Sequence, residues 1–148
     1  MEIFLTILSG TFVFVIGQTI QNFILLPIQR HKEVIGKINN KLKFYDFVIS
    51  NHISLIKEEL VLEARRELRH LSCDLESTYK EIPFRNTLLF VFNFFDLRKV
   101  DEISDSASRL MGLSNISESE TESEFHRRHQ DTDKIRKILH ICALDFKS

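Results

Sequence analysis

The chain has 148 residues, room for one anchor and one modest domain rather than two independent cores. Its 20 Lys and Arg stand against 21 Asp and Glu, a near-neutral balance that gives nucleic acid no support as a partner. Four Gly and two Pro disfavour a turn-rich β protein and favour long helices, so the expected fold class is all-α.

From Ile3 to Ile28 no residue is charged; the run opens after Met1-Glu2 and closes at Gln29-Arg30-His31-Lys32. At about 1.5 Å per helical residue this stretch is long enough to cross roughly 30 Å of hydrocarbon. Fifteen of the 24 residues from Ile3 to Leu26 are Ile, Leu, Val or Phe. Their summed insertion free energy is on the order of −5 to −9 kcal/mol before the polar residues take some back. A cleaved signal peptide fits poorly, because the leading Met1-Glu2 carries no Lys or Arg, the apolar run is too long and no A-x-A-like site follows. The expectation is a retained transmembrane helix over residues 1–29. Arg30, Lys32, Lys37, Lys41 and Lys43 follow it closely, whereas no cation precedes it. That asymmetry predicts an N-terminus outside and the remaining chain in the cytoplasm, in a cell inner membrane, with those five cations against lipid headgroups.

At about 100° per residue, Thr11, Gln18, Asn22 and Gln29 fall in one narrow stripe, with Gly10, Gly17 and Gln21 beside it. Leu5, Leu8, Phe12, Ile16, Ile20 and Phe23 occupy the opposite face. Small residues let helices approach closely, and amides bond across the contact. The polar face is therefore expected either to bind another copy of the chain or to line a pore through Thr11, Gln18 and Asn22. The plainer alternative is that Gln21, Asn22 and Gln29 are amides tolerated near the headgroups.

Pro27 is expected to kink the helix or mark its exit. Beyond it, residues 30–113 read as a helical region. Ile35, Ile38, Leu42, Tyr45, Ile49 and Ile56 recur at spacings of three and four, then Leu60, Ala64, Leu68, Leu71, Leu75 and Tyr79. This predicts either one helix of about 50 residues, a coiled-coil-like stalk, or two helices meeting at Ser50-Asn51-His52, where local side-chain bonding interrupts the pattern. Glu81-Ile82-Pro83 ends that element. Phe84 to Leu97 is apolar nearly all round, too short to span, and is expected in the core, at the membrane surface or in an oligomer contact. A third helix runs through Val100, Ile103, Ala107, Leu110 and Met111, capped by Asp96 and stopped at Gly112. Residues 114–124 form a polar acidic linker, and 125–148 a last helix aligned on Ile135, Ile138, Leu139, Cys142 and Phe146.

The chain carries no phosphate-binding glycine loop, nucleophile elbow or dinucleotide fingerprint. His126 and His129 stand three apart but lack the internal Glu of a zinc helix, and two arginines lie between them. Cys73 and Cys142 have no paired spacing and are expected as free thiols in a packed core. No catalytic residue, metal site, cofactor or small-molecule substrate is expected. The leading expectation is a non-enzymatic, membrane-anchored scaffold that self-associates through the span and the adjoining amphipathic helix. A homo-oligomeric channel and an accessory subunit of another membrane protein are the alternatives.

Overall fold

The computed structural model describes residues 2–51, 56–83, 99–115 and 122–139. Helix α1 (Glu2–Ile20) passes through a π-wound turn, Gln21–Leu25, into α2 (Leu26–Phe44) without a break. A short α3 (Asp46–Ser50) follows, then α4 (Glu58–Lys80), α5 (Val100–Ser114) and α6 (Glu122–Ile138). Every regular element among the described residues is helical, and the fold is all-α.

Two antiparallel pairings organise the bundle. Along α2 and α4, His31 Nδ1 lies 3.1 Å from Thr78 Oγ1, Lys41 Nζ lies 3.1 Å from Glu67, and Tyr45 donates to Glu63 at 3.1 Å. Positions rise on one helix as they fall on the other. Along α4 and α5, the buried Ser72 hydroxyl donates to the Ala107 carbonyl at 2.7 Å, while Arg69 reaches Asn115 at 3.3 Å. Helix α6 closes the other side. Arg109 on α5 binds both Asp131 on α6 and Asp105 on its own helix, and these carboxylates hold its pKa above the ordinary arginine value, the Asp105 bond first. The core runs through Ile38, Leu42, Tyr45, Leu68, Leu75, Leu110 and Ile135, all fully buried. Burial first, and then the Glu63 carboxylate, push the Tyr45 hydroxyl up to about 12.

The periodic stripe thus folds as two helices, and the alternative of one long stalk is corrected. Helix α2 turns at Tyr45, α3 ends at Asn51, and α4 returns along α2. Arg128, buried on α6, secures the corner by donating to the Val48 carbonyl at 3.1 Å and the Asn51 carbonyl at 3.3 Å. A cation on the last carbonyls of a helix meets both unsatisfied acceptors and the negative end of the dipole. Arg128→Met is expected to lower stability by about 2 kcal/mol, because it strands buried acceptors that had charge-assisted bonds. Thermal unfolding followed by circular dichroism checks this; the exposed Arg127→Met is the comparison, expected within about 0.5 kcal/mol of the parent.

Other boundaries also moved. Helix α5 runs past Gly112 to Ser114, because Leu113 and Ser114 are buried and hold the extra turn in place. Glu122 to Glu124, expected as the end of the linker, form the first turn of α6, where carboxylates complement the helix dipole. At the start of α5, Lys99 N–H donates to Glu102 at 3.1 Å. Cys73 is exposed on α4 rather than packed in the core, since the buried stripe passes through Ser72 and Leu75 instead. His52, Phe84 to Leu97, Asp96, Cys142 and Phe146 lie outside the described residues. The flanks of that Phe-rich stretch are described. Arg30 lies 3.8 Å from Glu81, and the antiparallel pairings place both Pro83 and Lys99 at the end of the bundle nearest α1.

Candidate functional site

Among the described residues, none of the bundle covers helix α1. The apolar window of the helix running from Ile3 to Phe44 has no buried residue, and Phe4, Phe12, Val13 and Phe14 are each about two-thirds exposed. Large apolar side chains uncovered on every side of a helix require a second environment, lipid or protein. The helix is long and apolar enough to cross a membrane by length and composition. Two of its hydroxyls are bonded within the helix: Thr11 donates to Ile7 C=O at 2.9 Å and Thr19 to Val15 C=O at 2.8 Å. Bonds of this i−4 kind satisfy a hydroxyl where no water is present.

The polar face is reorganised by the π turn. Leu26 N–H bonds the carbonyl of Gln21, five residues back instead of four. Pro27 explains the local widening: in an α-helix its ring presses on the carbonyl four residues earlier, that of Phe23, and it has no N–H to give. The helix therefore does not exit at Pro27 but continues, locally widened, to Phe44. A five-residue turn makes everything beyond it lag the α-helical register by about one residue, roughly 90–100°. Gln29, which a constant period aligns with Thr11 and Gln18, is carried round to the side of Gly17 and Gln21.

The result is a cleft of about 310 Å³ lined by Gly17, Ile20, Gln21, Asn22, Leu25, Leu26 and Gln29. No known protein family, curated protein or solved structure matches the chain. The cleft therefore has to be understood from its own chemistry. Of the residues expected on the polar face, it gathers Gly17, Gln21 and Asn22 and leaves Thr11 and Gln18 outside. Gly10 lies two turns below Gly17 on the same side, and a Cβ placed at either glycine would meet nothing within 4 Å. That open surface permits close approach by another helix.

The five cations expected at headgroups are spread along α2 rather than collected at one level. Measured from Ile28 at about 1.5 Å per residue, Arg30 and Lys32 lie about 3 and 6 Å beyond the apolar run. Lys37, Lys41 and Lys43 lie about 14, 20 and 22 Å beyond it, further than the roughly 10 Å over which salt screens a charge. Lys41 is engaged by Glu67 and stands 5.6 Å from the Tyr45 ring centre.

Periodicity alone missed His31. Its ring is buried between α2 and α4, 5.4 Å from the Tyr79 ring, and Nε2 is buried with no hydrogen-bond partner. The signal was present: Ile28, His31, Ile35 and Ile38 continue the three-and-four spacing one turn before the stripe was begun. Among the described residues no group of three or more His, Cys, Asp or Glu is placed to hold a metal ion. His126 and His129 instead pack their rings against Phe125, at 5.9 and 4.8 Å between centres.

Proposed function

We propose that the chain is a non-enzymatic, single-pass membrane scaffold whose copies associate through the cleft face of α1, with Arg30 and the helical bundle on the cytoplasmic side of an inner membrane. The observation that carries this reading is a helix whose apolar side chains are exposed among the described residues and which bears a polar cleft with Gly17 in its lining. Lipid covers the apolar part but offers nothing to amides, and bonds between such amides on neighbouring helices contribute about 0.6–2 kcal/mol each. The apolar stripe of α2, through Ile28, Val34, Ile38 and Leu42, is buried within the bundle, so association rests on α1 rather than on α2.

Packing is favoured over a conducting pore by two details. The Thr11 hydroxyl is already bonded to Ile7, and the cleft gathers Asn22 with Gly17, Gln21 and Gln29 rather than with Thr11 and Gln18.

The test is the mass of the purified protein in nanodiscs. The expected result is a defined homo-oligomer that Gln21→Leu with Asn22→Leu converts to monomer. A monomeric parent, or an oligomer indifferent to both substitutions, refutes the reading. Stoichiometric co-purification of a different membrane protein with a monomeric chain identifies an accessory subunit instead, and single-channel conductance in planar bilayers identifies a pore.

A further inference from the structure

We infer that the backbone carbonyl of Asn22 is a hydrogen-bond acceptor for the Gln21 amide of a second copy of this chain, making the π turn the recognition element of a parallel dimer. This rests on the proposed reading of α1 as a self-associating span.

The carbonyl is left over by counting. Its ordinary partner four residues on is Leu26 N–H, which is committed to Gln21. Its partner five residues on is Pro27, which has no N–H. Asn22 C=O therefore has no helical donor of either kind, and Asn22 itself lines the cleft with Gly17, Gln21 and Gln29. Asn22 lies about 9 Å inside the Ile28 end of the run, and hydrocarbon leaves a bare carbonyl at a cost of several kcal/mol. Membrane helices tolerate such a defect where a neighbouring helix supplies the missing donor.

A second copy is the occupant that supplies it by symmetry. Every copy enters the bilayer with the same orientation, so a two-fold axis parallel to the helices brings the same depth of both chains together. Gln21 and Asn22 differ by one residue, about 1.5 Å of rise, so each copy presents an amide donor at the level of the other's carbonyl. The bond forms twice. Gly17, one turn below with open space at its Cβ, lets the two backbones come close enough for it.

The experiment is fluorescence energy transfer in phosphatidylcholine vesicles, with the full chain carrying Cys142→Ser and labelled at the exposed Cys73 with donor or acceptor dye. Transfer is read across protein-to-lipid ratios. Pro27→Ala returns a donor to the helix, and Gln21→Leu removes the one offered by the partner. Each is expected to weaken the dimer about ten-fold or more, the loss of two interhelical bonds. The double variant is expected to be no weaker than either single one, because both remove the same bond. Gln18→Leu, outside the cleft, is expected to leave the dimer unchanged. Circular dichroism of each variant is expected to match the parent in the bundle's unfolding transition.

Absence of concentration-dependent transfer in the parent overturns the self-association reading itself. A parent that dimerises with Pro27→Ala and Gln21→Leu unaffected overturns this inference alone. Loss with Gln18→Leu but not with Gln21→Leu also overturns it, since the donor then comes from a different level.

Discussion

Phe12→Arg combined with Ile16→Arg is expected to release the chain from the bilayer. Both residues lie near the middle of α1, at 67% and 50% exposure, and neither touches the bundle. Each arginine near the bilayer centre costs about 2.5–3.5 kcal/mol on insertion scales. Two of them, with the loss of two apolar contributions, offset most or all of the roughly −5 to −9 kcal/mol that the apolar run supplies. The measurement is the fraction of full-length protein that floats with vesicles after alkaline carbonate. The parent is expected to float and the double variant to stay in the soluble fraction. Circular dichroism should show the same unfolding transition for the bundle, since its core uses no residue of α1. Phe47→Arg is the matched control: Phe47 is 60% exposed but sits at the far end of the bundle, on α3, and the change is expected to leave flotation intact. If the parent itself is extracted by carbonate, α1 is a peripheral helix and not a span.

That prediction was legible from residues alone, because an uncharged run of this length has one dominant physical requirement. The interior stripes were legible for the same reason. Ile38, Leu42, Tyr45, Leu68 and Leu75 recur at helical spacing, and each is fully buried. What periodicity could not supply was the sign of the turn at Tyr45 to Asn51. A heptad-like pattern fits a straight stalk and an antiparallel hairpin equally well. The choice is made by residues distant in sequence: Arg128, some 80 positions away, bonds the carbonyls that end α3, and Glu63 and Glu67 meet Tyr45 and Lys41. The candidate site was half legible. Gly17, Gln21 and Asn22 carry the composition of a packing face, but their grouping with Gln29 depends on the π turn. A projection at constant period has no means of representing an inserted residue. Pro27 was the available clue: a proline inside an otherwise helical pattern forces a kink, an exit or a local rewinding, and periodicity does not choose among them.

His31 makes the stability of the bundle depend on pH in a window where its effect can be isolated. Thr78 gives its proton to the Asp74 carbonyl at 2.8 Å, so at the 3.1 Å contact His31 Nδ1–H must donate to Thr78 Oγ1. The neutral imidazole then keeps a bare Nε2 in a dry site. Protonation there creates a cation and a donor with no acceptor, and burial lowers the folded-state pKa from 6.5 to about 4. The unfolded chain takes the proton first as pH falls. The contribution is therefore complete above about pH 6.5 and is lost progressively toward pH 4, at about 1.4 kcal/mol per unit within the window. Between pH 7.5 and 5.0 this one residue is expected to lower stability by about 2 kcal/mol. At the same end of the bundle Arg30 and Glu81 form an exposed ion pair at 3.8 Å. His31→Phe keeps a ring against Tyr79 and cannot titrate, while Thr78 retains its bond to Asp74. Thermal unfolding of parent and variant at the two pH values is the measurement. The difference between them is expected to be small at pH 7.5, with the variant the more stable at pH 5.0 by about 2 kcal/mol. A parent and variant that lose stability in parallel would assign the pH dependence to other groups and leave His31 a packing residue only.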